Sequence, residues 1–481
     1  SASAHTAPSN SRPLVWGVDL GNHNCIVATA GKGGVDVVLN DVAGRHTPSA
    51  VFYSGTVRLV GEHTTTACGS HPSNLVNQYK ALLELDDGSG NDGGGAASDA
   101  DDDDHDSRGP RLWPPWGILP YRLKRRGGAL PCAVVNHGGG ELEVSAHDVV
   151  GALLDHLRRL AEASRGAGVE RSSCVVAGVP SHFTRRQRRA VLNAARIQGV
   201  PVTALMDEGT AVALAYGMFK RGLPSHSAMA DMTPEAARLA AAMRRWEARE
   251  LAAPAGGGAE GDSAAADAAA ADAVTVAAFT VDGLAILGRG CAHGCGAGTV
   301  ERRVFDHLLA AAADTVDAAA AANPRAVFRL ARAAAAAVKT LSANEEASVC
   351  VDCLDGVTDF SLRLTRAEVE EKCGDLVAAV EAACRQALAA AGVVAADVTE
   401  AELLGGGSYI PLLQRAVECV FAAAGSGGTV DGTPVRRTMN AVESVATGCA
   451  LAAARHSVQV KVRPFSVADR LGAALQVSCR W

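Results

Sequence analysis

The chain has few aromatic residues, no excess of positive charge and no long hydrophobic run. Phe, Trp and Tyr make up 4% of its 481 residues, and the formal net charge is −7. A negative chain is a poor match for nucleic acid as its main partner. No stretch reaches the ~18 uninterrupted apolar residues of a membrane-spanning helix. We therefore expect neither nucleic acid nor a membrane among its partners.

The chain also lacks a cysteine framework and an N-terminal signal region. Its 13 cysteines have no framework spacing, and several lie in apolar surroundings where a reduced core thiol is expected. The first thirteen residues are polar and carry no hydrophobic signal sequence. These features predict a cytoplasmic location, with the nucleus also possible. The chain begins at Ser1 rather than Met, so we treat it as a possible fragment.

The length and the order of strand and helix patterns predict a two-lobed α/β protein. A chain of 481 residues is too long for a single core. Strands and helices alternate in two similar rounds, which favours a ligand site between two lobes. Predicted helices include 146–163, 302–321 and 366–390. A hairpin is predicted at 275–279 and 284–287, and a short strand at 402–404.

Residues 15–25 contain the most informative local pattern. An apolar strand runs into Asp19 and Gly21, small polar residues follow, and a second apolar strand begins after Cys25. A glycine tip lets the backbone approach a phosphate closely, and consecutive N–H groups there can bind an anion. A carboxylate beside it can orient water molecules around a bound Mg²⁺. Taken alone, this pattern is also that of an ordinary tight turn.

Further along the chain, many short segments resemble the nucleotide-binding domain of the heat shock protein 70 superfamily. The matching segments, in family order, are 18–22, 45–49, 60–62, 179–183, 194–199, 208–217, 341–344 and 404–406. Asn22, His23 and Asn24 replace the usual threonines after D-L-G and are more similar to the large branch, heat shock protein 110, as are residues 462–467. The resemblance implies the actin-like ATPase fold, with two lobes built on ribonuclease H-like sheets around a central nucleotide cleft.

The same resemblance implies a division of the chain. Residues 1–13 are a disordered N-terminus, and 14–463 form the nucleotide-binding domain. Its first lobe is 14–214 with 438–463, and its second lobe is 215–437. A Gly/Asp-rich insertion at 86–108 and a low-complexity insertion at 222–272 are expected to be disordered. Residues 464–481 are a linker and the start of a truncated substrate-binding domain.

The resemblance also implies roles for individual residues, with ATP and Mg²⁺ as cofactors. Asp19 would orient magnesium-bound water, and the backbone of Gly21, Asn22, His23 and Asn24 would hold phosphates. Lys80 would face the terminal phosphate, and Glu208 would lie near the metal. Without the resemblance, Lys80 is an ordinary solvated lysine and Glu208 an N-terminal helix carboxylate.

The adenosine side of the site is implied in the same way. Gly405, Gly406 and Gly407 would let the backbone lie flat against the adenosine, or else form a plain strand-to-helix turn. Lys339 would keep one charge of the adenosine clamp. Pro180 and Arg188 match elements that relay lobe movement in the family, and otherwise are a strand terminator and a surface charge.

The chain departs from the family pattern at three places. No second D-x-G hairpin precedes 275–279, the segment 296–301 has lost most of its family residues, and residues 335–338 of the clamp are Ala-Ala-Ala-Val. Losing several contacts of ~1.5–3 kcal/mol each would weaken ATP binding by orders of magnitude. Two interpretations remain: either the hairpin has truly been lost and nucleotide binding is much reduced, or residues 222–272 carry a gene-model error, such as a retained intron, that has displaced the real hairpin.

These observations lead to a functional expectation with two alternatives. The first is an ATP-binding chaperone component of the heat shock protein 110 type. It would act in protein folding and the stress response as a nucleotide exchange factor for a heat shock protein 70, with unfolded proteins as clients. The alternatives are a chaperone ATPase of the heat shock protein 70 type and a degenerate pseudo-ATPase binding module. As an enzyme it would be at most a weak ATPase.

Overall fold

The computed structural model describes residues 14–69, 71–84, 119–124, 131–165, 172–220, 271–280, 283–313, 323–422, 433–457, 460 and 462–469. The predictions for 1–13, for the insertion 86–108 and for residues 222–270 lie outside these residues. The strand of the predicted 275–279 hairpin begins earlier, at Ala271. The last two residues of the segment 222–272 therefore belong to a strand rather than to an insertion.

The elements of the N-terminal half include one large sheet. The strands of this half are β1 (Leu14–Leu20), β2 (Asn24–Gly31), β3 (Gly34–Val37), β4 (Thr47–Pro48), β5 (Val51–Ser54), β6 (Val57–Val60), β7 (Leu75–Val76), β8 (Arg122–Lys124), β9 (Cys132–His137), β10 (Gly140–Val144), β11 (Ser172–Val179) and β12 (Val202–Asp207). Its helices are α1 (His63–Ala67), α2 (Lys80–Glu84), α3 (Ala146–Ala163), α4 (Arg185–Ile197) and α5 (Glu208–Phe219). The prediction of a helix at 146–163 is confirmed.

The large sheet has the strand order β12-β11-β1-β2-β3, with β4 also paired to β2. The central strand β1 is parallel to β11 and antiparallel to β2. Side chains of β1 alternate between two cores, as the period of two in a strand requires. Trp16 and Val18 pack with α3 and α4, while Val15 packs with α5. Helices therefore cover both faces of this sheet.

The C-terminal half contains smaller sheets. Its strands are β13 (Ala271–Thr280), β14 (Gly283–His293), β15 (Glu346–Val351), β16 (Phe360–Thr365), β17 (Ala401–Glu402), β18 (Val435–Arg436) and β19 (Ser466–Ala468). Its helices are α6 (Ala297–Ala313), α7 (Pro324–Ala343), α8 (Arg366–Lys372), α9 (Gly374–Ala391), α10 (Pro411–Ala422) and α11 (Ser444–His456). Helix α11 packs in the core shared by β1, β2 and β11, so residues 444–456 return to the first sheet.

The second half has no large sheet among its described residues. β13 pairs with β14, and β14 pairs with β19, while β17 and β18 form a separate parallel pair. α6 and α7 pack together with β15 and β16 around a second core. The described part of β13 thus has one strand neighbour, whereas β1 has one on each side.

Two helices in this half have limits that differ from those predicted from the sequence. The helix predicted at 302–321 begins five residues earlier, at Ala297, and is described as far as Ala313. The segment predicted as one helix at 366–390 is two helices, α8 and α9, separated at Cys373. Cys373 is fully buried and has non-helical backbone angles, while the apolar spacing continues through it. Periodicity alone could not locate this break.

Candidate nucleotide site

The tip of the β1–β2 hairpin, residues 21–23, is a tight turn that requires glycine at its first position. A Cβ on Gly21 would lie 2.2 Å from the carbonyl oxygen of Asn24. Ser49 holds the turn from outside, because its hydroxyl donates to the Gly21 carbonyl at 2.6 Å. Among the residues that the structure describes, the N–H groups of Asn22 and His23 donate to no partner. The tip therefore leaves backbone donors available to an anion.

Asp19, Lys80 and Glu208 meet beside this tip. The Lys80 ammonium lies 3.1 Å from a carboxylate oxygen of Glu208, and Lys80 is only 7% exposed. Withdrawal of Asp19 from water raises the pKa of its carboxyl to about 7, with the negative charge of Glu208 adding to the rise and Lys80 opposing it. Three predicted site residues are thus close enough to interact electrostatically.

The elements that carry these side chains explain their placement. Asp19 precedes the last residue of β1, and Lys80 and Glu208 are the first residues of α2 and α5. A carboxylate in the first turn of a helix is stabilised by the helix dipole, which suits Glu208. Lys80 lies 5.9 Å from the centre of the Phe183 ring, so its charge is also held by an aromatic face.

This group can bind a phosphate–magnesium unit. Carboxylates such as Asp19 and Glu208 hold Mg²⁺ directly or through its waters, which the ion releases reluctantly. A lysine acts as a compact positive charge toward phosphate oxygens. A divalent ion beside Asp19 would favour the charged carboxylate and so oppose the rise in its pKa that burial causes.

Helix α6 links the hairpin tip to the glycine turn near the C-terminus. A Cβ on Gly406 would lie 3.8 Å from the Ala297 Cβ, and one on Gly407 would lie 3.7 Å from the Ala297 nitrogen. One turn later on α6, Glu301 is close enough to His23 for a positive charge there to lower the Glu301 pKa, although burial raises it more. Both ends of the predicted cleft therefore border the N-terminal part of α6.

The adenosine side retains little of the predicted chemistry. Gly405 has φ +80°, and its N–H donates to the Ala441 carbonyl at 3.1 Å, so this glycine shapes the turn. Lys339 is exposed near the end of α7, and on the same helix Ala337 and Val338 are buried in the second core. The structure gives Lys339 no contact with the other predicted site residues.

A charged network beside Glu208 was not predicted from the sequence as a unit. The Arg188 guanidinium donates to Asp207 at 2.6 Å, and Arg289 lies 3.2 Å from the other Asp207 oxygen. Arg289 also donates to both carboxylate oxygens of Asp469, at 2.6 and 2.7 Å. Burial raises the pKa of Asp207, with the two arginines opposing the rise. The sequence signal for this network is Arg289, the single arginine in the otherwise apolar strand β14.

This network joins three parts of the molecule. Arg188 also donates to the carbonyl of Phe183, whose ring faces Lys80, and Asp207 immediately precedes Glu208. Asp469 follows β19, which pairs with β14 of the second half. The candidate nucleotide site is therefore linked to the segment after residue 462 through the buried pair Arg188–Asp207 and the half-buried pair Arg289–Asp469.

The family model described as "Hsp70 protein" matches residues 15–88, 114–235 and 273–481. The chain belongs to the Hsp70 family. The actin-like ATPase fold follows from this membership, as the sequence resemblance implied. The domain of this family binds ATP or ADP with Mg²⁺. The two gaps in the match, 89–113 and 236–272, overlap the predicted insertions.

Relatives of the large branch are among the similar proteins. The chain is 30% identical to "Heat shock 70 kDa protein 14" of Arabidopsis thaliana, over 97% of this chain and 48% of the relative. It is 26% identical to "Heat shock 70 kDa protein 4L" of Homo sapiens, over 97% of this chain and 48% of that protein. It is 28% identical to "Heat shock protein hsp88" of Neurospora crassa, over 95% of this chain and 55% of that protein. The chain spans about half the length of these relatives.

The recognition of the superfamily and of its large branch is confirmed. The individual roles of Asp19, Lys80, Glu208, Lys339 and the glycines remain predictions that rest on geometry. In the part of the chain that the structure describes, no helix has the length and apolar character needed to cross a membrane.

Proposed function

We propose that this Hsp70-family chain is an ATP-binding chaperone component of the heat shock protein 110 type. It acts as a nucleotide exchange factor for a heat shock protein 70 partner during the folding of client proteins. The observation that carries the proposal is the Asp19–Lys80–Glu208 group beside the tip of the β1–β2 hairpin, which we call the phosphate hairpin. The described residues of the second half contain no equivalent group.

This asymmetry favours nucleotide as a ligand over nucleotide as a substrate. Phosphoryl transfer depends on charges placed around the transferred group from several sides. Here the described residues supply charge mainly from the first half, and the clamp residues Ala335 and Ala336 carry none. Bound Mg-ATP would then join the hairpin to α6 and hold the two halves together, with slow hydrolysis or none.

The proposal extends to location and partners. Net charge of −7 and similarity to large-branch relatives support a cytoplasmic protein that binds an Hsp70 and unfolded chains rather than nucleic acid or membranes. Because lobe closure would present the surface that the partner recognises, exchange activity should depend on nucleotide binding.

Two measurements on the chain test this function. Calorimetry with ATP, in the presence and absence of Mg²⁺, reports binding, and the release of a fluorescent ADP from a conventional Hsp70 reports exchange. We expect Mg²⁺-dependent binding and accelerated ADP release. Gly21→Val should abolish both effects. Gly33→Val is the matched control, because a Cβ at Gly33 meets nothing within 4 Å.

The alternatives give different results in the same experiment. A working ATPase would release phosphate continuously under multiple-turnover conditions. A nucleotide-free binding module would give no heat with ATP, and its exchange activity would be unchanged by Gly21→Val. Tight ATP binding that Gly21→Val leaves intact would remove the hairpin from the proposed site.

A further inference from the structure

The phosphate hairpin is held by side chains that do not belong to it. Tyr79 donates its hydroxyl to the Leu20 carbonyl at 2.6 Å, and Ser49 donates its hydroxyl to the Gly21 carbonyl at 2.6 Å. The Ser49 N–H donates to the His23 carbonyl at 2.9 Å. Tyr79 and Ser49 are each only 1% exposed. Three carbonyl groups at and beside the tip are therefore bonded to a neighbouring part of the protein.

The planarity of the peptide unit makes these bonds directional. In a trans peptide, the carbonyl of one residue and the N–H of the next point in opposite directions. Holding the Gly21 carbonyl on Ser49 therefore turns the Asn22 N–H away from Ser49, and holding the His23 carbonyl does the same for the Asn24 N–H. The anchors keep carbonyl oxygens, which would repel a phosphate, away from the side where these donors point.

The Tyr79 bond also joins the two charged parts of the site. Leu20 directly follows Asp19, and Tyr79 directly precedes Lys80. One hydrogen bond thus ties the end of β1, which carries Asp19, to the start of α2, which carries Lys80. A phenylalanine would fill the same buried volume without this bond. Burying a hydroxyl costs free energy unless it is hydrogen-bonded. The hydrogen bond to the Leu20 carbonyl is therefore what makes a buried tyrosine tolerable at this position.

We propose that Tyr79, assisted by Ser49, is a positioning residue for phosphate binding. It holds the hairpin tip, Asp19 and Lys80 in their binding arrangement before the ligand arrives. Such preorganisation raises affinity because the ligand does not have to order the loop itself. The inference rests on the proposed nucleotide function and adds two residues that touch neither phosphate nor metal.

The test compares Tyr79→Phe with Tyr121→Phe. Tyr121 is also buried, and its hydroxyl donates to the Asn77 carbonyl at 2.9 Å, so the control removes the same kind of bond without touching the hairpin. Calorimetry measures the affinity for Mg-ADP and for Mg-pyrophosphate, which has no adenosine. Loss of one buried hydrogen bond should weaken both ligands about threefold to tenfold in Tyr79→Phe. Tyr121→Phe should stay within about twofold on the same scale.

Thermal unfolding without ligand separates positioning from general damage. We expect the two variants to lose similar amounts of thermal stability while only Tyr79→Phe loses phosphate affinity. If Tyr79→Phe unfolds, Ser49→Ala repeats the test against Thr64→Ala, whose buried hydroxyl donates to the Gly61 carbonyl at 2.7 Å. Equal phosphate affinities in a variant and its control would overturn the positioning role and leave the proposed function standing. Absence of any Mg-ADP or pyrophosphate binding by the unmodified chain would end both.

Discussion

The first and second halves of the molecule differ most at the centre of their sheets. In the first sheet, β1 lies between its parallel neighbour β11 and its antiparallel neighbour β2. In the second half, the parallel pair β17–β18 and the antiparallel pair β13–β14 are separate sheets, and the described residues include no strand between them. In the second half it is β14 that has an antiparallel neighbour, β13, and a parallel neighbour, β19, and unlike β1 it carries no Asp or Glu.

This difference has a chemical consequence because β1 is the strand that carries the site. Asp19 lies near its end, and the hairpin tip that we expect to hold phosphate, residues 21–23, follows directly. The second half contributes the N-terminus of α6 and the glycine turn, which supply backbone and shape but few charges. We therefore expect the first half to supply the charges that hold a phosphate and the second half to supply mainly the shape of the cleft.

The largest expected effect tests whether binding depends on the first half. Gly21→Val places a branched side chain where even a Cβ would lie 2.2 Å from the Asn24 carbonyl oxygen, so the tip must rearrange. We expect Mg-ATP affinity to fall more than about a hundredfold, which corresponds to roughly 3 kcal/mol. Gly33→Val, in the open turn between β2 and β3, should leave affinity unchanged. Similar losses in both variants would indicate damage to the sheet rather than to a phosphate site.

The next largest effect concerns the charged network that joins the halves, in which Arg188 and Asp207 are buried. Arg188→Ala removes the 2.6 Å partner of Asp207, which is 2% exposed, and leaves only Arg289 to balance it. Breaking a buried ion pair costs about 3–5 kcal/mol, and the remaining arginine should reduce this to about 2–3 kcal/mol. Urea unfolding measures the change. Arg185→Ala, an exposed arginine on the same helix, should stay within about 0.5 kcal/mol of the unmodified chain.

A smaller effect is expected from the protonation of Asp19. Because the folded pKa is raised from 3.8 to about 7, the folded protein binds the proton more tightly than the unfolded chain. Stability from this group therefore falls as the pH rises from about 4 to about 7, and the loss is complete above that range. Asp19→Asn removes this loss, so the ligand-free variant should be more stable at pH 8 by about 1–2 kcal/mol.

The control for Asp19→Asn is the same comparison of unfolding stability made at low pH. At about pH 2.5 and below, which is under both pKa values, both states of the unmodified chain are protonated at this position, and the difference between the two proteins should disappear. The variant should also lose the Mg²⁺ dependence of nucleotide affinity, because the carboxylate charge is absent. In the unmodified chain this dependence should increase between pH 6 and pH 8. A stability difference that is constant with pH would show that Asp19 titrates normally.

Much of this picture could be predicted from short sequence patterns, for identifiable reasons. The β1–β2 hairpin and α3 were predictable because apolar spacing and glycine tips are local signals. The break at Cys373 was missed because the apolar spacing runs through it. The Arg188–Asp207–Arg289–Asp469 network was missed because its members come from four distant segments, and only the fold brings them together. Tyr79 was missed as an anchor for the same reason.

The smallest expected effect tests whether the glycine turn of the second half contributes to ATP affinity or only shapes the cleft. At Gly406 no positive φ is required, and a Cβ there would meet its nearest neighbour, the Ala297 Cβ, at an ordinary distance of 3.8 Å. If adenosine does not lie flat against this turn, Gly406→Ala should change Mg-ATP affinity less than about threefold, under 0.7 kcal/mol. Gly405→Ala should cost somewhat more folding stability, because its φ of +80° disfavours any side chain. Calorimetry on the two variants beside Gly21→Val completes the comparison. A tenfold loss in Gly406→Ala would place the adenosine against the glycine turn, and the second half would then contribute directly to binding despite its lack of charge.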